Sequence, residues 1–194
     1  MRAALIALLA LVASPALAAT PGGATESLRA RDAEIRAALP PQGQELTPSA
    51  RKRIEAIITR AIDLRSMVES AMDKHWKPAT EAQRKRLIAA FENRFRKASG
   101  SELDSYRSTD LEYQKEIAQD DGLVQVPTRV VVKGEPTDIT YTLRHNRDGG
   151  WRIVDLTVDG VSTVENYRSS FSRTIAKEGV DGLIHRLEKG SASK

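Results

Sequence analysis

The chain has 194 residues, with 30 Lys and Arg against 26 Asp and Glu, a formal charge of +4, and no cysteine. That length suits one domain with a real core, and the lack of cysteine excludes disulfide staples, thiol catalysis and cysteine metal sites. The basic excess is small and interleaved with acids, as in RKRIEAIITR, which is the pattern of a solvated face and argues against a nucleic-acid-binding role.

The first element, residues 1–18, has Arg2 as a positive start, an apolar run from Ala3 to Val12, the helix breaker Pro15, and small residues at Ala16 and Ala18. This is the grammar of a cleavable secretory signal, with the cut expected after Ala18. The run is shorter than the roughly 20 residues that span a bilayer. The expected location of the mature protein is therefore the periplasm, with residues 19–25 as a flexible linker and residues 26–190 as a single domain. Removing the signal takes away Arg2 alone among the charged residues, so the basic excess stays slight.

A first helix is expected from Glu26 to Leu39, stopped by Pro40 and Pro41. Thr47 reads as an N-cap with Pro48 at the first helical position of a long helix. Its apolar stripe runs through Ile54, Ile57, Ile58, Ala61, Leu64, Met67, Val68 and Ala71, bent or broken near Asp63, and ends before Pro78. Thr80 and Gln83 form a capping box for a third helix with Leu87, Ile88, Phe91 and Phe95 inward, and Gly100 marks an interruption.

From Asp110 to Val158 the chain is rich in Val, Thr, Ile and Tyr. Four antiparallel strands are expected, at Leu111–Ala118, Leu123–Lys133, Thr137–Asn146 and Trp151–Val158, joined by short turns into a meander. Ile139, Tyr141 and Leu143 alternate with Thr140, Thr142 and Arg144, giving one apolar and one polar face. In the last strand Trp151 and Ile153 share one parity and Val154, Leu156 and Val158 the other, so either a bulge separates them or both faces are covered. Asp159-Gly160 is a turn dipeptide. Ser162 and Glu165 open a final helix through Val164, Tyr167, Phe171 and Ile175, broken at Gly179 before a short segment with Leu183, Ile184 and Leu187. Helices, sheet, helix in that order predict an α+β fold, with helices packed on one face of a curved four-stranded antiparallel meander sheet.

No catalytic or metal motif emerges from these residues. His75, His145 and His185 lie far apart and match no ligand spacing. The run Gly160-Val161-Ser162-Thr163-Val164 lacks the second glycine of a nucleophile elbow, and Ser162 is better placed as an N-cap. Asp155 and Asp159 could pair as acid and base or hold a cation, but the turn dipeptide and the missing third oxygen ligand favour a structural role. The expectation is a non-enzymatic protein without metal or cofactor.

The C-terminal run WRIVDLTVDGVSTVENYRSSFSRTIAKEGVDGLIHRL resembles the signature of the MlaC-type, or toluene-tolerance, periplasmic phospholipid-binding proteins. The resemblance rests on Trp151, Asp155, the corner Asp159-Gly160-Val161-Ser162, Asn166-Tyr167-Arg168 with Phe171, and Gly179-x-x-Gly182-Leu183. Upstream it extends over Asp63 to Trp76 and from Thr80 and Gln83 to Phe91 and Phe95. Ser170 and the short loop at Lys133–Thr137 depart from the family pattern and leave the apolar positions intact.

The resemblance implies a monomeric carrier with phospholipid as cargo and only transient membrane proximity. Its partners would be an inner-membrane ABC transporter complex and an outer-membrane lipoprotein complex, and its role the maintenance of outer-membrane lipid asymmetry. Acyl chains lose about 0.8 kcal/mol per CH₂ exposed to water, so such a carrier needs a dry cavity. Periodicity alone favours apolar faces that close into a solid core; the resemblance reverses that and favours an apolar cavity between the layers. Expected lining residues are Leu64, Val68, Phe91 and Phe95 on the first helices and Val130, Val132, Ile139, Tyr141, Leu143, Trp151 and Ile153 on the sheet. Val161, Val164, Tyr167, Arg168 and Phe171 complete the set at the C-terminal end. Arg168 would lie at the rim or pair with an acid such as Glu165. The competing readings are an envelope adaptor that holds no lipid and a hydrolase with a site assembled from distant residues.

Overall fold

The computed structural model describes residues 23–41, 44–99, 111–132 and 134–190, apart from the side chains of residues 97–99 and Val132. The expected signal segment, Gly100 and the C-terminal tail lie outside the described residues.

Helix α1 (Gly23–Ala38) begins inside the stretch expected to be linker. Its N-terminus is fixed twice: Glu116 Oε1 accepts from the Thr25 backbone N–H at 2.6 Å, and Gly23 lies against Trp151. A Cβ on Gly23 would come within 2.9 Å of Trp151 Nε1, so only glycine lets the helix start there undisturbed. Linker composition alone carries no sign of that contact, which comes from a strand far along the chain.

Helix α2 (Pro48–Ala61) starts as its cap predicts, with Thr47 Oγ1 accepting from the Ala50 N–H at 3.2 Å. The break near Asp63 is complete. Ile62 is extended and bridges to Ile153, Asp63 N–H donates to the Ile153 carbonyl at 2.9 Å, and α3 (Leu64–Met72) follows. Asp63 caps α3 by accepting from the Ser66 N–H at 2.9 Å. The long helix is thus cut in two so that one residue can dock against strand Trp151–Val158.

A short 3₁₀ turn (Asp73–His75) leads to α4 (Glu81–Ser99), where the capping box forms in both directions. Gln83 N–H donates to Thr80 Oγ1 at 3.2 Å, and Thr80 N–H donates to Gln83 Oε1 at 3.0 Å. Thr80→Ala is expected to cost about 1 kcal/mol of stability, read as a lowered urea midpoint at unchanged slope. A midpoint equal to that of the parent protein would show that the box is redundant.

The sheet is antiparallel and runs β1 (Glu112–Tyr113), β3 (Leu123–Val132), β4 (Glu135–His145), β5 (Trp151–Val158), β6 (Val161–Ser162), with β2 (Ile117–Ala118) also paired to β3. The three long strands match the expected meander. The expected first strand is split into β1 and β2. Gln114 N–H donates to the Pro127 carbonyl at 2.9 Å, so Pro127 turns its backbone toward that edge and has no N–H to return. The extra strand β6 pairs back on β5 through Asp159-Gly160, both at positive φ, in a two-residue hairpin. In β5 the register passes from Thr142↔Asp155 to Leu143↔Ile153, so Val154 is a bulge residue and Trp151, Ile153 and Val154 are all buried.

Helix α5 (Thr163–Glu188) is capped by Ser162, whose Oγ accepts from the Glu165 N–H at 3.1 Å. It is interrupted at Gly179, with φ 71°. Gly182 then passes so close to the Glu178 side chain that a Cβ there would collide with it, which gives the Gly179-x-x-Gly182 spacing a steric cause. Beyond the kink Leu183, Ile184 and Leu187 turn back into the core.

Among the described residues, apolar packing divides into three clusters. The largest joins α3, α4 and α5 through residues including Leu64, Val68, Leu87, Phe91, Phe171 and Ile184. A second joins α1 and the end of α2 to the inner sheet face through Ala24, Leu28, Ala61, Val124, Val126, Leu143, Trp151 and Ile153. The third lies between α1 and α2, at Ile35, Ala38, Ile54 and Ile57. Ile62, at the helix break, packs against both of the first two. Among the described residues no helix is long and apolar enough to cross a membrane.

Candidate functional site

Strand register sets the inner sheet face. Val124↔Leu143, Val126↔Tyr141 and Thr128↔Ile139 are cross-strand pairs, and Leu143↔Ile153 and His145↔Trp151 carry the same face onto β5. Thr128, the polar member, is satisfied because its Oγ1 donates to the Ile139 carbonyl at 2.8 Å.

Where α1 and α2 cross this face they leave an apolar recess of about 180 Å³. Leu28 and Ile35 of α1, Ile58 and Ala61 of α2, Ile62 at the break, Leu111 before β1, and Tyr141 and Ile153 of the sheet line it. Arg31, Asp32 and Tyr113 also border it and make one part of the lining polar. Asp32 accepts from Arg36 Nε at 2.9 Å, Arg31 Nη1 donates to Glu34 at 2.9 Å, and the Arg29 guanidinium lies 4.5 Å from the Tyr113 ring centroid. Arg31 Nε is buried without a hydrogen-bond partner among the described residues. Burial, reinforced by the Asp32 charge, pushes the Tyr113 phenol up to about 12. Burial also raises Tyr141, with Tyr113 and Asp32 adding to it. Both phenols therefore remain O–H donors at physiological pH.

A second, wider cleft of about 900 Å³ opens between α4 and α5, with Glu55 of α2 also on its border. Ala89, Ala90, Phe95, Tyr167 and Leu187 supply its apolar lining. Its charged margin includes Arg86, whose Nη2 donates to Glu188 at 3.1 Å, and Arg94, which donates to the Gly190 carbonyl at 2.9 Å. Its ionic margin makes it the poorer place to dehydrate an acyl chain, despite its size.

The structure separates the expected lining residues into different surroundings. Tyr141 and Ile153 line the recess, and Leu143 and Trp151 pack beside it in the same cluster. Val130 is buried and Ile139 half-buried farther along the sheet, while the Val132 side chain lies outside the described residues. Leu64, Val68, Phe91, Val164 and Phe171 fill the helical core, with ring centroids 6.3 Å apart for Phe91 and Phe171. These five share one buried cluster between the helices. Phe95 and Tyr167 border the wider cleft. Val161 is 62% exposed on the β6 edge, because the hairpin that creates β6 carries it to the sheet margin.

Arg168 is held between Glu165, at 2.6 Å, and the Ser70 carbonyl, at 3.2 Å, so it ties α5 to α3. Thr142, expected on a polar face, is only 9% exposed. Its cross-strand partner Asp155 accepts from the Val164 N–H and so holds the start of α5 over that side of the sheet.

Sequence reasoning missed the contribution of α1 and β1. Leu28 and Ile35 stand seven residues apart on one helical face, a spacing that marks a buried stripe, but nothing local says that the stripe meets a sheet. Ile58 and Ala61 were visible as part of the α2 stripe without being separable from ordinary core. Among the described residues no group of three or more His, Cys, Asp or Glu could hold a metal ion.

The profile of the family described as MlaC protein matches residues 35–189. In solved structures, the chain is similar to the phospholipid-binding protein from Ralstonia solanacearum in complex with a phospholipid. The two are 23% identical, the match covers 87% of this chain and 97% of that one, and the TM-score is 0.74. At that identity the likeness establishes a shared fold.

Proposed function

The chain belongs to the MlaC family, and we propose on that premise that it binds glycerophospholipid through an acyl chain placed in the recess between α1, α2 and the inner sheet face. The observation that carries this reading is the apolar recess itself, about 180 Å³ of unfilled space walled by Leu28, Ile35, Ile58, Ala61, Ile62 and Ile153. Transfer from a bilayer to such a wall exchanges one apolar surrounding for another, so the chain moves without the cost of wetting each methylene. The phospholipid-bound state of the structurally similar Ralstonia solanacearum protein supports the same cargo class.

The recess has the liquid volume of roughly six waters, enough for a segment of one acyl chain. Housing more of the lipid requires α1 and α2 to part from the sheet. In this proposal the protein is a non-enzymatic periplasmic carrier, exported by residues 1–18, that moves phospholipid between an outer-membrane lipoprotein complex and an inner-membrane ABC transporter complex and so maintains outer-membrane lipid asymmetry. The family membership and the signal-like N-terminus support that role.

Protein expressed with its native leader in a bacterium and purified from the periplasm without detergent is expected to retain phospholipid at about one molecule per chain, read by native mass spectrometry and lipid extraction. Folded protein that stays lipid-free after incubation with vesicles and both membrane complexes would replace the carrier reading with that of an envelope adaptor.

A further inference from the structure

The recess has a polar part that acyl chains do not need. Tyr113 and Tyr141 stand on either side of β3 and on the same sheet face, because their cross-strand partners are Thr128 and Val126, two residues apart. Both rings belong to the apolar cluster against α1, and both border the recess. Arg31 enters from α1, its Nη1 engaged with Glu34 and its Nε buried without a partner among the described residues. A buried N–H left unpaired is costly, and buried phenols ordinarily find an acceptor. Asp32, the carboxylate beside them, already accepts from Arg36. The recess therefore presents donors for which the described residues supply no acceptor.

The charge balance selects the kind of acceptor. Burial, more than any neighbouring charge, opposes negative charge at both phenol oxygens; Asp32 adds to it, while Arg29 and Arg36 act the other way on Tyr113. The same dehydration opposes an anionic phosphate or free carboxylate at that position and leaves a neutral oxygen acceptable. On a glycerophospholipid the neutral acceptor attached directly to the apolar chain is the ester carbonyl.

We infer that Tyr113, Tyr141 and Arg31 form an ester-recognition subsite at the polar part of the recess, donating hydrogen bonds to an acyl-ester carbonyl of the bound lipid. This inference rests on the proposed phospholipid cargo. It makes the protein selective for ester-linked over ether-linked lipid, a distinction that apolar packing alone cannot draw because the two differ chiefly in the carbonyl.

The test is competition for the delipidated full mature chain between a diacyl phosphatidylethanolamine and the dialkyl ether analogue with the same chain lengths, read by native mass spectrometry. The diacyl lipid is expected to be favoured by about fivefold or more, the size of one neutral hydrogen bond, and Tyr141→Phe and Tyr113→Phe are each expected to bring the ratio toward one. Thermal melting verifies that the variants fold, and the comparison within the parent protein stands without them. Equal binding of the two lipids by the parent protein, or a preference untouched by both phenylalanine variants, overturns the subsite and leaves the carrier reading standing. Failure to bind either lipid overturns both.

Discussion

Replacing Asp155 by alanine is expected to lower the free energy of unfolding by about 3 kcal/mol, because one partly buried carboxylate organises the junction between sheet and final helix. Its Oδ1 accepts from the Leu156 N–H at 2.8 Å and the Val164 N–H at 3.0 Å, and its Oδ2 accepts from Ser162 Oγ at 2.5 Å. The Ser162 hydroxyl in turn accepts from the Glu165 N–H as the helix cap. Alanine leaves two backbone donors without an acceptor and frees the capping hydroxyl to rotate away. Asp155→Asn keeps one oxygen for the two N–H groups and should lose about 1 kcal/mol, since the serine hydroxyl can accept from the new amide. Urea unfolding of both variants checks the order, and an alanine variant within 1 kcal/mol of the parent would mean that water replaces the carboxylate.

Asp155 also shows what the sequence could and could not reveal. By sequence the two carboxylates could pair as acid and base or hold a cation, and the Asp159-Gly160 turn dipeptide with no third oxygen ligand favoured a structural role. The geometry separates them: Asp159 closes the hairpin by accepting from the Asp138 N–H at 3.0 Å, while Asp155 serves the helix. Local signals of this kind were legible because their cause is local. Thr47, Thr80 and Ser162 each act as a cap within three residues, and the kink at Gly179 is a backbone event at one position.

Long-range placement was not legible. The period of α3 and α4 correctly puts Leu64, Val68, Leu87 and Phe91 inside, but an amphipathic stripe specifies burial without naming its partner. These residues pack chiefly on other helices, and the inner sheet face is met by α1 and the end of α2; the short stripe of α1 and its Pro/Gly-rich approach carry no mark of that partner. Leu143 illustrates the cost for the site. Its parity with Tyr141 places it on the correct face, yet at 1% exposure it is packed beside the recess, so a carboxylate there would report on folding before it reported on cargo.

A test of the cargo site therefore has to fill space at the recess without burying charge. Ile58→Trp is expected to leave the protein folded and to weaken phospholipid binding about thirtyfold. Ile58 is half-buried on α2 and borders the recess, so an indole can extend into the unfilled volume with little displacement of the packed core. An indole that excludes two or three acyl methylenes, at about 0.8 kcal/mol each, removes about 2 kcal/mol of binding. Two controls define the result. Val131→Glu, at a position 57% exposed on the opposite sheet face, should bind as the parent does. Ala89→Trp places the same indole in the wider α4–α5 cleft, and it too should leave binding unchanged. Each variant is assayed by thermal melting, then by lipid retained after incubation with vesicles. If Ala89→Trp loses lipid and Ile58→Trp keeps it, the acyl chain lies in the cleft bordered by Phe95 and Tyr167, and the recess under α1 is not the cargo site.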